Sequence, residues 1–117
     1  MKAAVFALAV FSFALVASTA SALTGTELRN ICQVAARNST DTSLELAVGM
    51  QCQGFVEAIV TVGRRLREPN RFCAPDGVTV GQAINVLVKY LNENPAQLHH
   101  GGELLAITAF NEAWPCK

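Results

Sequence analysis

The chain has 117 residues with nine Lys+Arg against nine Asp+Glu, a formal net charge of +0, and 51% hydrophobic residues. Such a balance lacks the basic face of a nucleic-acid reader, so no nucleic-acid partner is expected. The length allows one ordinary domain and no more.

The first predicted element is an export signal. Lys2 precedes an apolar run from Ala3 to Phe11 that continues through Phe13, Leu15, Val16 and Ala17, then Ser18-Thr19-Ala20-Ser21-Ala22. The apolar core is shorter than the ~20 residues of a membrane span, and Ala20 and Ala22 supply the small side chains a signal peptidase accepts. Cleavage between Ala22 and Leu23 is expected, with residues 1–22 removed and 23–117 left as a single helical domain without stable membrane insertion. The implied location is outside the cytoplasm. Removing Lys2 leaves eight Lys+Arg against nine Asp+Glu.

Three helix starts carry a hydroxyl residue followed three positions later by Glu or Gln, the capping-box pattern. Thr24 with Glu27 opens a first helix over Gly25 to Arg37, with Leu28, Ile31, Cys32 and Ala35 inward. Asn38-Ser39-Thr40-Asp41 breaks it. Thr42 with Glu45 opens a second, longest helix whose stripe is Val48, Cys52, Phe55, Ile59, Val62 and Leu66. Arg64, Arg65 and Arg67 suit its negative end, and Pro69-Asn70 stops it. Arg71 to Val78, with Cys73, Pro75 and the Asp76-Gly77 turn signal, reads as a loop. Thr79 with Gln82 starts a third helix, with Val80, Ala83, Ile84, Leu87, Val88 and Leu91 on the apolar face. A fourth helix, Pro95 to Ala113, is expected with Asn94 as its cap and Leu98, Leu105, Ala109 and Phe110 inward. Gly101-Gly102 inside it means either a bend or the close approach of a neighbouring backbone.

The fold class is therefore all-α: four helices in antiparallel hairpins. The cysteines are Cys32, Cys52, Cys73 and Cys116. In an exported chain an even count reads as two disulfides, and hairpin packing favours 32–52 with 73–116 over the other two connectivities.

Catalytic chemistry is hard to assemble from this inventory. His99 and His100 are sequence neighbours, about 100° apart on a helix, and cannot share a metal as an i, i+4 pair does. The cysteine spacings do not match zinc sites, the acidic residues are scattered, and no glycine run forms a phosphate loop. No enzyme activity, cofactor or metal is expected. What is left is a binding surface, and the polar, proline-punctuated segment around Arg64, Arg67, Asn70 and Arg71 is the candidate.

Four segments carry a family resemblance: Cys52-Gln53-Gly54-Phe55-Val56; Phe72-Cys73-Ala74-Pro75-Asp76-Gly77-Val78-Thr79; Val88-Lys89-Tyr90-Leu91 with Asn94-Pro95 and Leu98-His99; and Ala113-Trp114-Pro115-Cys116. Together they resemble the periplasmic immunity proteins of type VI secretion amidases. The resemblance implies a helical homodimer that plugs the active site of a peptidoglycan-cleaving amidase effector. The chain departs from that pattern near Ala58, where Gly is usual, near Thr61, where an acid is usual, and at Gly101-Gly102; the resemblance implies that these positions touch dimer or effector surfaces. A second reading is a small periplasmic acid-stress chaperone of similar form.

Overall fold

The computed structural model describes residues 21–38 and 40–117. The export signal expected over 1–22, including Ala20, falls almost entirely outside the described residues, as does Ser39; Ala22 and Leu23 are described, Ala22 exposed and Leu23 half-buried. Four helices follow in order: α1 (Gly25–Ala36), α2 (Ser43–Val62), α3 (Val80–Glu93) and α4 (Gly102–Ala113). Among the described residues no strand forms, only isolated bridges between Thr24 and Gly101 and between Phe72 and Pro115.

The expected caps form where their sequence signals lie. At α1, Thr24 N–H donates to Glu27 Oε2 at 2.8 Å while Glu27 N–H donates back to Thr24 Oγ1 at 3.3 Å. At α3, the same reciprocal pair joins Thr79 and Gln82, at 2.9 and 3.1 Å. Thr42 Oγ1 accepts from Glu45 N–H at 3.1 Å at the start of α2. Each satisfies backbone donors that a helix start leaves without a partner.

The fourth helix is shorter than its apolar pattern suggests. Pro95–Gln97 form a 3₁₀ turn, the chain breaks at Leu98, and α4 begins at Gly102. The cause is the start of α1, which crosses at this point. Gly25 N–H donates to His100 O at 2.9 Å, Thr26 N–H to Leu98 O at 3.1 Å, and Gly102 N–H to Leu23 O at 2.6 Å. Carbonyls of the broken segment thus serve the first donors of α1. A Cβ at Gly25 would lie 2.9 Å from Leu98 O, so the crossing requires glycine there. Both alternatives for the Gly101-Gly102 pair therefore hold: the helix is interrupted, and another backbone is why. Asn94 does not cap α4; its side-chain amide donates to Tyr90 O at 2.8 Å and closes α3 instead.

The core draws Leu28 and Cys32 from α1, Cys52 and Val56 from α2, Ala83, Ile84, Leu87 and Leu91 from α3, and Leu105, Ala106, Ala109 and Phe110 from α4, with Leu98 beside them. Phe72 joins it from the loop before α3, fully buried, its ring 5.4 Å from that of Phe110. The ring lies so close over Gly63 that a Cβ at that position would collide with it. On α2 the expected stripe is only partly inward: Cys52 is buried, Val48, Phe55, Ile59 and Leu66 are half-buried, and Val62 is exposed. At about 100° per residue Val62 lies roughly 100° around the helix from the face centred on Cys52 and Val56, at the margin of the buried side. The disulfides are Cys32–Cys52 and Cys73–Cys116, with Cα–Cα distances of 5.1 and 4.9 Å. The first ties α1 to α2, and the second ties the loop before α3 to the residues after α4.

Candidate partner-binding surface

Two surfaces stand out. The first is the outward face of α2. Leu44, Ala47, Gln51, Gly54, Ala58 and Val62 recur every three or four residues, and all six are exposed. Leu44 and Met50 expose 71% and 60% of their surface, far more than isolated large apolar residues in a helix need. Across Ser43–Val62 the only charged side chains are Glu45 and Glu57. The stretch Ser43–Arg65 is long and apolar enough to cross a membrane by length and composition, yet only 17% of its apolar 18-residue window is buried in this fold. A helix apolar on all sides is normally surrounded by protein or lipid. Here one side has protein and the other has none. Ala47, Gly54 and Ala58 make the open side flat, which allows another backbone to approach closely. Ala58 and Thr61, the departures from the immunity-protein pattern, are exposed on this side.

The second is the segment that leaves α2. Gly63–Arg65 form a 3₁₀ turn, and the chain then runs over the surface to Phe72. Of the four residues proposed from sequence, Arg64, Arg67, Asn70 and Arg71, all are exposed, but their engagements differ. Arg64 Nη2 donates to Ala74 O at 2.9 Å and pairs with Asp76 Oδ1 at 3.3 Å, bracing the loop from within. Asn70 N–H donates to Arg67 O at 2.9 Å, making a turn. Arg67 and Arg71 point no hydrogen bond or ion pair at any described residue, and neither does Arg65 beside them.

Sequence reasoning missed the residue that fixes this segment. Asn111, on α4, donates its side-chain amide to Arg71 O at 2.6 Å and to Pro69 O at 3.2 Å. An amide next to the apolar Phe110 carries no sequence signal of such a role, because its partners lie some forty positions away.

His99 and His100 are exposed, with ring centroids 4.0 Å apart. Among the described residues no group of three or more His, Cys, Asp or Glu side chains could hold a metal, and all four cysteines are disulfide-bonded. Glu27 is held below the usual carboxylate range by the Thr24 backbone N–H and then its hydroxyl. Tyr90 is pushed up by partial burial and by the nearby Glu112 carboxylate. That pair lines a shallow groove of about 260 Å³ between α3 and α4, floored by Val86, Ala109 and Ala113.

These observations define a small, disulfide-stapled helical protein that offers surfaces for binding another macromolecule. Residues 24–116, all four helices and both disulfides, match the family model described as Rap1a immunity proteins, and the chain belongs to that family. This is the immunity-protein group whose motifs its sequence carries. Searches of curated proteins and of solved structures returned no match.

Proposed function

We propose that the chain is a periplasmic immunity protein that binds a type VI secreted peptidoglycan amidase and inhibits it by occluding its active site. Membership of the family, with its tie to effector immunity, supports the first half of that reading. Two disulfides support a location outside the reducing cytoplasm. The export signal is cleaved after Ala22, and the domain spanning 23–117 acts without chemistry of its own.

The single observation that carries the reading is the match of residues 24–116 to the immunity family; the unpartnered α2 face, an uncharged strip of small and large apolar residues, supports its dimer. In the working protein a second copy covers it, making the homodimer the family resemblance implies. Apolar, isologous helix contacts are the usual basis of permanent dimers. The effector then docks elsewhere on the protomer.

The test is protection. An amidase encoded beside this gene is directed to the periplasm of a sensitive cell, with and without the exported chain. Survival with the chain and lysis without it is the expected result; lysis in both overturns the proposal. The mass of protein recovered from the periplasm checks cleavage at Leu23, and sedimentation checks the dimer.

A further inference from the structure

The arginine segment has a property that exposed loops rarely show: it is held at every side. Phe72 anchors it in the core, its N–H donating to Gly63 O at 3.3 Å. Cys73 N–H donates to Trp114 O at 2.8 Å, and the Cys73–Cys116 bond locks the same point covalently. Asn111 holds the carbonyls of Pro69 and Arg71, and Arg64 holds that of Ala74. Exposed loops with few apolar contacts open easily; this one has six tethers within twelve residues.

What the tethers hold in place is charge. Arg65, Arg67 and Arg71 share this short segment with one acid, Glu68. Elsewhere among residues 23–117, with the Arg64–Asp76 pair set aside, the balance reverses: Arg29, Arg37, Lys89 and Lys117 stand against seven acids. The excess of positive over negative charge is therefore confined to this segment. Guanidinium groups match carboxylates in a planar, two-point geometry, and a fixed backbone lowers the entropy lost when they dock.

We infer that Arg65, Arg67 and Arg71 form a preorganised docking element for a carboxylate-bearing protein edge, and that Asn111 is its positioning residue. Resting on the immunity reading, this assigns the acidic edge to the effector and leaves the α2 face to the second copy. Arg64 belongs to the scaffold of the element and makes no contact with the partner.

The experiment measures association of the exported, oxidised protein with the adjacently encoded amidase at low and moderate ionic strength. Arg67→Ala and Arg71→Ala each weaken binding about 5- to 10-fold, mostly through slower association, and flatten its salt dependence. Arg37→Ala, at the far end of α1, leaves both unchanged. Asn111→Asp, which removes the donor while keeping the shape, weakens binding and speeds amide exchange at Phe72 and Cys73 with the helical signal intact. Arginine variants within twofold of the parent, while the parent binds, overturn the docking element and leave the immunity reading standing. Failure of the parent to bind overturns both. Arginine-dependent binding to phosphatidylglycerol vesicles, with amidase binding unaffected, overturns the protein edge in favour of a lipid surface.

Discussion

Helices α2 and α3 pack against each other, yet their sequences obey different constraints. In α3 every buried residue, Ala83, Ile84, Leu87 and Leu91, falls on one side, and Gln82, Asn85, Lys89 and Asn92 face water. The fold of one chain explains that pattern completely. In α2 only Cys52 and Val56 are buried, although most of the helix is apolar. A single chain does not account for the other side. The difference teaches what a single core can explain: it accounts for the pattern of α3, whereas α2 carries an apolar side that this core does not use.

The strongest way to break this comparison is to truncate each helix on its inner side. Leu87→Ala removes a fully buried side chain of α3 and is expected to cost as much as about 5 kcal/mol in urea unfolding, since the close-packed helices around it cannot collapse into the cavity. A loss below about 1 kcal/mol would mean that α3 is not central to the core. For α2 the corresponding attachment is covalent. With so little of it fully buried, its packing on α1 is reinforced by Cys32–Cys52, which closes a 20-residue separation. Replacing both cysteines by alanine is expected to cost about 3 kcal/mol on the chain-entropy relation. An unchanged melting temperature in that variant would show that packing alone secures α2.

Outward substitutions sharpen the contrast. Ala58→Arg places a charged side chain on the flat face of α2, where the monomer has nothing to clash with, so unfolding free energy should shift by no more than about 0.5 kcal/mol. Sedimentation should nonetheless show the dimer lost. Asn85→Arg, on the wet side of α3, should change neither stability nor mass. If Ala58→Arg remains dimeric, the α2 face is not the contact between copies.

Most of the helical architecture was legible because its signals are local. Thr24, Thr42 and Thr79 announce helix starts three residues ahead of their partners, and α3 shows its period in fourteen residues. The disulfide pairing was legible one level up, from hairpin geometry. What escaped depends on distant contacts. The break before α4 is caused by residues 23–26, about seventy-five positions earlier, and Phe72 sits in a segment whose turn residues conceal a core anchor. On α2, one expected stripe fits too many apolar residues, so periodicity alone did not separate the inner face from the outer. The candidate arginines were visible as a charge run; that Arg64 is a brace, and Asn111 the clamp, follows only from the folded chain.

The smallest expected effect compares the two capping boxes. That of α1 ends in a carboxylate, Glu27, and that of α3 in an uncharged amide, Gln82. Glu27 titrates below its ordinary value because the Thr24 backbone N–H, and secondarily its hydroxyl, favour the ionised form. A group whose folded pKa is depressed adds stability above its unfolded pKa and loses that stability as pH falls through the folded pKa. Glu27→Gln should therefore lower the melting temperature slightly near neutral pH, and the gap from the parent should close as pH drops through and below the ordinary carboxylate range. Gln82→Ala should lower it by an amount that pH does not change over the same interval, because no proton is exchanged at that cap. A Glu27→Gln gap that stays constant down to about pH 2 would show that the carboxylate charge plays no part in the cap. No buried polar or charged residue occurs among the described core positions, and the Glu27 carboxylate sits in an exposed cap. An acid-triggered chaperone would need a much larger response, visible as dye binding at low pH.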